Sequence, residues 1–371
     1  MPGPAAGTAV AATTTDAVCL GESMVTFLPS QPGRLADVPS FGRGIGGAES
    51  NVACALAAAG HRAAWVGRVG ADGFGDHLVE TIGGYGVDTS AVRRDPVRPT
   101  GIYFRTATDR GTDTHEVAYY RAGSAASAMS PSNMPYEELL AGRILHLSGI
   151  TAALSADCLA LLRDLTAPRA GRPLVSFDVN HRPHLWRDAD ASVLLELARR
   201  SDLVFVGEDE AEEAWGIVGA EAIRAAVPEP SVLVVKRGSA GATVFASGLR
   251  PGPRSSNAGG AGTAAAGAGV GDTVTLVPAL RVDVVAAVGA GDAFAAGFLS
   301  ATLRGLPVRD RVRHGHLMAA AVLTVPGDLT DPPARDHADR LAALDDDAWG
   351  RLRLGPGWTA ADRAPEEVRT P

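Results

Sequence analysis

The segment Gly289-Ala290-Gly291-Asp292 combines three features that phosphate chemistry requires. Its glycines allow a tight main-chain turn with N–H groups exposed to a ligand. The apolar residues that follow are spaced like one face of a helix, which predicts a helix N-terminus that favours phosphate. Asp292 would repel that phosphate unless its charge did chemistry. A general base that takes a proton from an attacking hydroxyl would do such chemistry.

A similar segment, residues 267–272 (GAGVGD), lies in a stretch rich in glycine and alanine. It leads into residues 273–277 (TVTLV), which have the composition of a strand. Because no helix follows it, this copy is interpreted as part of a flexible surface insertion over residues 249–271.

Composition excludes several classes of protein. A net charge of −8 and a pI near 5.6 do not suit a nucleic-acid partner, which would need a basic stripe. No apolar run approaches the ~20 residues of a membrane span. Residues 1–16 lack the features of a signal peptide, so we expect a disordered lead into a cytoplasmic protein. Cys19, Cys54 and Cys158 are widely separated and suit reduced, buried thiols.

Lys236 is the only lysine in the chain. No Gly-Lys-Ser or Gly-Lys-Thr sequence is therefore present, and a P-loop of the Walker A type is excluded. A nucleotide would have to bind by another route.

Short apolar runs alternate with helical patterns and predict an α/β fold with a mostly parallel sheet, because strands covered on both faces are continuously apolar. The predicted strands are residues 18–20, 64–66, 144–147, 174–177, 203–206, 232–235 and 243–245. The predicted helices are residues 48–59, 75–82, 156–165, 191–200, 208–215 and 220–226. This pattern places one domain over residues 17–345. Residues 346–371 are polar and poorly periodic, so a loosely ordered tail is predicted there, in which Trp349 and Trp358 could dock locally.

Two strand-like runs, residues 101–108 and 116–121, flank a polar turn with no helix between them. They predict an antiparallel hairpin that joins residues 24–28 in a small sheet. A small lid over residues 22–45 and 101–121 could close over a substrate and exclude water. Its free edges could be covered by a second subunit, so a homodimer or higher homo-oligomer is a candidate assembly.

Two distant motifs, Gly46-Gly47-Ala48-Glu49-Ser50-Asn51 and residues 288–298 (VGAGDAFAAGF), occur in a characteristic order. On these motifs the chain resembles the ribokinase-like (PfkB) carbohydrate kinases over residues 17–330. The resemblance implies a three-layer α/β/α sandwich with a small β-sheet lid. Further segments, among them YYRAGSAAS, FDVNHRPHLW and VVKRGSAGA, are most similar to the kinases of 2-keto-3-deoxygluconate in that family.

The resemblance implies a site in three parts. Asp292 would be the catalytic base, beside an anion hole formed by Gly289, Ala290 and Gly291. The sugar would contact Gly46, Gly47, Asn51, Tyr103, Tyr119, Arg121 and Arg182. The nucleotide would contact Glu210, Lys236, Gly238, Gly289 and Gly291.

Several of these residues also have a structural interpretation. Arg121 and Arg182 suit a carboxylate-bearing sugar, since arginine offers two parallel donors, although the stem of Arg121 could simply cover apolar surface. Tyr119 alternates with its neighbour on a strand and could pack against the core. Asn51 could cap a helix rather than bind a sugar hydroxyl.

The nucleotide side departs from the family pattern in one respect. Glu210 matches the glutamate of an Asn-x-x-Glu motif that handles magnesium and phosphate, but Gly207 replaces the asparagine. The expected cofactors are ATP and Mg²⁺, and no metal ligand is assigned directly; Glu210 would act through water. An acidic residue in the first turn of a helix also has a structural explanation, because its negative charge interacts favourably with the helix dipole.

A second departure precedes the anion hole. Ala286 stands where relatives carry an aspartate that helps to hold a monovalent cation. A monovalent-cation site is therefore not assigned.

Together these observations predict an ATP-dependent kinase that phosphorylates a small sugar acid, with 2-keto-3-deoxygluconate and its 6-phosphate as the favoured substrate and product. Three alternatives remain open at this level. One is a kinase of ribose, fructose or a related sugar, and another is a catalytically silent sugar-binding regulator on the same fold. The third is a nicotinamide-dependent dehydrogenase, although no Gly-x-Gly-x-x-Gly follows the first strand.

Overall fold

The computed structural model describes residues 15–31, 33–106, 116–187, 190–247 and 271–360. Three predicted segments lie wholly or mostly outside the described residues. They are the lead over residues 1–16, of which only residues 15 and 16 are described, the turn between the two lid strands, and the insertion over residues 249–271, of which only residue 271 is described.

The strands, numbered in chain order, fall into one large sheet, one lid sheet and two small pairs. They are β1 (Ala17–Leu20), β2 (Met24–Pro29), β3 (Phe41–Gly46), β4 (Ala63–Val66), β5 (Arg68–Gly70), β6 (Arg93–Asp95), β7 (Ile102–Arg105), β8 (Val117–Tyr120), β9 (Ile144–Ser148), β10 (Leu174–Asp178), β11 (Leu203–Gly207), β12 (Val232–Lys236), β13 (Ala242–Ala246), β14 (Thr273–Val277), β15 (Arg281–Val282) and β16 (Arg353–Leu354).

The helices pack mainly on the two faces of the large sheet. They are α1 (Ala48–Ala58), α2 (Gly73–Gly84), α3 (Tyr136–Leu139), α4 (Gly149–Ala153), α5 (Ala156–Thr166), α6 (Ser192–Arg199), α7 (Glu208–Trp215), α8 (Ala220–Ala226), α9 (Ala290–Leu303), α10 (Val308–Leu323), α11 (Arg335–Ala342) and α12 (Asp346–Arg351).

The large sheet has the strand order β14-β13-β12-β11-β10-β9-β1-β4. Six neighbouring strands of this sheet, β4, β1, β9, β10, β11 and β12, pair in parallel. β13 pairs antiparallel with β12, and β14 pairs antiparallel with β13. One apolar core joins this sheet to α1, α9, α10 and α11, and a second core joins its other face to α5, α6 and α8. The predicted α/β/α sandwich is therefore confirmed. All seven predicted strands and all six predicted helices overlap observed elements, because fully apolar runs and amphipathic periods reflect burial directly.

The lid is a separate sheet of strand order β3-β2-β7-β8. β7 and β8 pair antiparallel, as the hairpin pattern predicts, and β2 runs parallel to β7. Aromatic rings stabilise this sheet from one side: Phe27 and Phe104 stack at 4.7 Å between ring centres, and Phe41 meets Phe104 edge-on.

The C-terminal segment is more ordered than its sequence suggests. Residues 346–360 form α12, β16 and a turn, and β16 pairs in parallel with β15. Trp349 is fully buried, donates from Nε1 to the carbonyl of Pro278 at 3.0 Å, and lies under the guanidinium of Arg313. The prediction of a loose tail from residue 346 is wrong for this part, because the apolar side chains of Trp349, Leu352, Leu354 and Trp358 are buried in the core and anchor the segment. Residues 361–371 lie outside the described residues.

The three cysteines are free and buried, as their spacing predicts. Over the described ranges, no helix has both the length and the apolar character that crossing a bilayer requires.

Candidate active site

Asp292 lies in the first turn of α9, and Gly289 is the N-cap residue of that helix. Gly289 adopts φ +79°, a left-handed conformation that favours glycine, and a Cβ atom there would lie 2.6 Å from the carbonyl oxygen of Asp328. No side chain caps the helix, so the first-turn N–H groups of Ala290 and Gly291 have no side-chain acceptor. The predicted helix start after Gly289 is therefore present in the fold.

Asn51 brings the second motif to the first. Its side chain donates from Nδ2 to Oδ2 of Asp292 at 2.8 Å. Gly47 is the N-cap residue of α1, and the backbone N–H of Asn51 bonds to its carbonyl, so the helix-cap interpretation of the Asn51 side chain is wrong. Gly47 packs tightly on the chain after β1, since a Cβ atom there would lie 2.4 Å from the carbonyl oxygen of Glu22.

The surroundings of Asp292 tune its acidity. Burial raises its pKa to about 7, the hydrogen bond from Asn51 opposes that rise, and the negative charge of Asp178 adds to it. The positive charges of Arg182 and Lys236 lower the pKa. A carboxylate with a pKa near neutrality is suited to accept and release a proton.

The lone lysine lies between two carboxylates. Lys236 ends β12, and its Nζ is 3.1 Å from both carboxylate oxygens of Asp178 and 4.0 Å from Oε2 of Glu210. Burial lowers the pKa of Lys236, but Asp178 and Glu210 more than compensate and leave it raised. Its ammonium also lies beside the predicted anion hole, because a Cβ atom at Gly291 would lie 3.7 Å from Nζ.

Glu210 combines a structural role with its place in the site. Its Oε2 accepts a hydrogen bond from the backbone N–H of Gly207 at 2.7 Å and so caps α7. Its Oε1 lies 3.6 Å from Arg182, and burial raises its pKa. A Cβ atom at Gly207 would lie 2.4 Å from Oδ1 of Asp209, so the Gly207 departure leaves room for this arrangement.

The two predicted arginines have different environments. Arg121 has a side chain that is 11% exposed and is paired with Glu22, which also accepts from the Ser124 hydroxyl at 2.8 Å. The side chain of Arg182 is 47% exposed and has only the longer contact to Glu210 within ion-pair range. Both lie near His184, whose pKa is lowered first by burial and then by these two positive charges. Of the two arginines, Arg182 is therefore the one whose guanidinium is more exposed to a ligand.

The predicted tyrosines lie on the inner side of the lid. Tyr119 stacks on the ring of His184 at 4.8 Å, and Tyr103 lies 5.5 Å from Tyr119. Tyr103 also fills the space over Gly46, where a Cβ atom would lie 2.2 Å from its hydroxyl oxygen. The lid thus places Tyr103 beside Gly46 of the first motif and Tyr119 next to Tyr103.

Gly238 lies two residues after Lys236, in a 3-10 turn with φ +52°. The loop is closed by the bond from the Arg237 N–H to the carbonyl of Gly241 at 2.8 Å. This turn follows the carboxyl end of β12, at the edge of the sheet that carries Asp178 and Gly207 on β10 and β11.

Sequence patterns did not identify three charged residues at this end of the molecule, namely Asp178, Asp328 and Arg105. Asp178 belongs to the FDVNHRPHLW run and ends a buried strand, which is the signal that could have identified it. Asp328 forms a buried ion pair with Arg105 of the lid at 2.7 Å, a contact between segments far apart in the chain that no local pattern indicates.

The structure also bears on metal binding. Across the described part of the chain, no cluster of three or more His, Cys, Asp or Glu side chains could hold an ion. Ala286 is buried and offers no side-chain ligand, and the nearby Asp283 pairs with Arg353.

The chain is similar to known proteins over most of its length. Residues 14–335 match the family described as pfkB family carbohydrate kinase. A 2-dehydro-3-deoxygluconokinase of Bacillus subtilis (strain 168) is 34% identical over 333 residues, covering 86% of this chain and 93% of that protein. A 2-dehydro-3-deoxygluconokinase of Thermoproteus tenax is 32% identical over 329 residues, covering 87% and 93%. The crystal structure of a PfkB protein from Polaromonas sp. JS666 superposes with a TM-score of 0.72 at 31% identity and covers 89% and 100%.

These matches agree with the meeting of the two motifs at Asn51 and Asp292, and they set aside the dehydrogenase alternative. The chain belongs to the pfkB family of carbohydrate kinases.

Proposed function

We propose that this kinase transfers the γ-phosphoryl group of ATP to the terminal hydroxyl of 2-keto-3-deoxygluconate and forms the 6-phosphate. The observation that carries the proposal is a buried carboxylate at a helix N-terminus, Asp292, held by Asn51 beside N–H groups without a side-chain cap. The names of the Bacillus and Thermoproteus relatives support the choice of sugar.

In this mechanism Asp292 accepts the hydroxyl proton as the sugar oxygen attacks the γ-phosphorus. The N–H groups of Gly289, Ala290 and Gly291 stabilise the negative charge on the transferred group. Lys236 adds a fixed positive charge next to Gly291. Phosphoryl transfer depends mainly on positioning and electrostatics, so this small set of groups is chemically sufficient.

The carboxylates fit a magnesium ion that is held largely by phosphate and water. Glu210 and Asp178 are the acidic side chains closest to Lys236, and both are already engaged by cations. Magnesium in kinases uses one or two carboxylates together with substrate phosphates and water, so a complete protein cage is not required. Glu210 would hold the ion through water, and the bound ion would neutralise phosphate charge.

Arg182 is the proposed partner of the sugar carboxylate. It follows the carboxyl end of β10, where ligands of α/β proteins bind, and its guanidinium is half exposed. Planar, bidentate donors match a carboxylate better than an ammonium would.

A second candidate is a kinase of a neutral sugar such as fructose or ribose. The observation that favours it is the pairing of Arg121 with Glu22, which removes one of the two arginines expected to bind an acidic sugar. The lid tyrosines would serve either substrate, since they offer rings and hydroxyls without charge.

The deciding experiment measures ADP release across acidic and neutral sugars, with the phosphorylated carbon identified by phosphorus NMR. The proposal expects the highest kcat/KM for 2-keto-3-deoxygluconate and phosphate on its terminal carbon. A higher kcat/KM for a neutral sugar would establish the second candidate instead. Binding of a sugar by calorimetry without ADP release from any of them would show a silent sugar-binding protein.

A further inference from the structure

A buried ion pair links the lid to the loop that packs on the anion hole. Arg105, the last residue of β7, donates from Nη2 to Oδ1 of Asp328 at 2.7 Å. Tyr103 donates to the other oxygen, Oδ2, at 3.4 Å. The side chains of Arg105 and Asp328 are 5% and 7% exposed. Both carboxylate oxygens therefore bond to the lid.

The main chain of Asp328 contacts the other partner. A Cβ atom at Gly289 would lie 2.6 Å from the carbonyl oxygen of Asp328 and 3.1 Å from its Cα. Asp328 belongs to the loop between α10 and α11, so one residue touches the first anion-hole residue with its backbone and the lid with its side chain. Gly46 completes this junction, because a Cβ atom there would clash with Tyr103 and lie 3.3 Å from Oδ2 of Asp328.

Stability alone does not account for such a pair. Replacing a buried ion pair by apolar residues of similar volume is often neutral or stabilising, because burial removes both charges from water. Nε of Arg105 has no hydrogen-bond partner in the described structure, which adds to the cost of burying this side chain. A buried pair at this place is better explained by a role in holding the lid and the loop between α10 and α11 in a fixed arrangement.

Resting on the proposed kinase activity, we propose that Arg105 and Asp328 form a latch through which the seated lid holds Gly289 in the geometry that phosphoryl transfer requires. Both are positioning residues that act through Gly289. An anion hole works only when its donors are aimed at the place where charge develops, and a misplacement of about 1 Å costs on the order of 100-fold in rate.

The test is the double variant Arg105→Met/Asp328→Leu, which removes both charges and leaves neither uncompensated. The matched control is Arg224→Met/Asp272→Leu, which removes the partly buried pair that joins α8 to the residue before β14 at the edge of the large sheet. The latch predicts a fall in kcat of at least tenfold for the first variant, with the Kd of the sugar within about threefold of wild type. The control variant should keep wild-type kcat.

Two results would overturn the latch. One is wild-type kcat in the double variant, and the other is a loss confined to sugar binding, which would make Asp328 a direct sugar contact. If the double variant does not fold, Asp328→Glu and Asp328→Asn replace it. The latch predicts that the charged glutamate retains more kcat than the neutral asparagine, and equal kcat values would contradict it.

Amide hydrogen exchange separates the latch from the proposed function. Losing the latch should speed exchange in β7, β8 and residues 325–330 together, without any substrate. A wild-type protein that phosphorylates a different sugar overturns only the proposed substrate. If no sugar is phosphorylated, the proposed function fails, and exchange still decides whether Arg105 and Asp328 couple the lid to the loop: unchanged exchange in the double variant overturns the latch.

Discussion

The side-chain amide of Asn51 donates a hydrogen bond to the carboxylate of Asp292 across 2.8 Å, and this bond joins α1 to α9 at the centre of the site. It orients the carboxylate and favours its charged form. Burial works in the opposite direction, and the result is a pKa of about 7 for Asp292. The balance between these two effects governs the pH range in which the proposed base is active.

The role of Asp292 as base predicts that Asp292→Asn lowers kcat by about 10²–10⁴-fold. The amide keeps the size of the side chain but cannot accept the hydroxyl proton. Sugar and ATP affinities, measured by calorimetry, should stay close to wild type. Near-wild-type turnover in this variant would rule out Asp292 as the base.

The pH profile should report the Asp292 carboxylate. Because the base must be deprotonated, kcat/KM should fall as the pH drops below about 7. Asn51→Leu removes the donor that lowers the pKa, so the acid limb should move to higher pH. Ser50→Ala, which changes a neighbour bonded to Ser23, is the control and should leave the limb in place. An unmoved limb in Asn51→Leu would show that another group controls the profile.

Lys236 should matter for chemistry as well as for nucleotide binding. Lys236→Met leaves Asp178 and Glu210 without their shared cation and removes positive charge beside Gly291. We expect kcat to fall by about 100-fold or more, as measured by ADP release. Lys236→Arg, which retains the charge, should recover part of the loss. Equal activities of the two variants would argue against an electrostatic role.

Potassium should have little effect on the wild-type rate, because Ala286 offers no carboxylate. The measurement compares ADP release in potassium and tetramethylammonium salts at equal ionic strength. Ala286→Asp places a buried carboxylate at this position, and a cation would then offset the cost of its charge. Potassium should therefore stimulate this variant, whereas severalfold stimulation of the wild type would contradict the prediction.

Glu49 should make the folded state sensitive to pH. It is fully buried, accepts from Ser148 at 2.7 Å and from Thr151 at 2.9 Å, and burial raises its pKa from 4.5 to about 7. The folded state thus binds more protons than the unfolded state between these values, so its contribution to stability is present below pH 4.5 and is lost as the pH rises towards 7.

Glu49→Gln should remove this dependence, because the amide oxygen can still accept from Ser148 and Thr151. Its free energy of unfolding, relative to wild type, should rise between pH 4.5 and 7 by up to about 3 kcal/mol. Denaturant melts at several pH values give the measurement. A constant difference across this range would show that Glu49 is not the responsible group.

The sequence by itself determined the layers of the fold and the two motifs at its centre. Strands such as β11 and β12 are apolar on both faces, and α5 and α6 are amphipathic, so their local composition indicates directly which residues are buried. The helix start at Gly289 follows from local chemistry as well. The C-terminal segment was misjudged because its order depends on contacts with distant parts of the chain, among them the hydrogen bond from Trp349 to Pro278 and the pairing of β16 with β15.

Only the tertiary structure decided how the charges are shared. Sequence patterns identified Arg121 as a cation for the substrate, but its carboxylate partner is Glu22 of the protein itself. Asp178 gains its importance from Lys236, and Asp328 from Arg105, through contacts between different strands and loops. Ion pairs of this kind form between side chains that are distant in the sequence and close in the fold. Local periodicity therefore does not indicate which partner a charged side chain contacts.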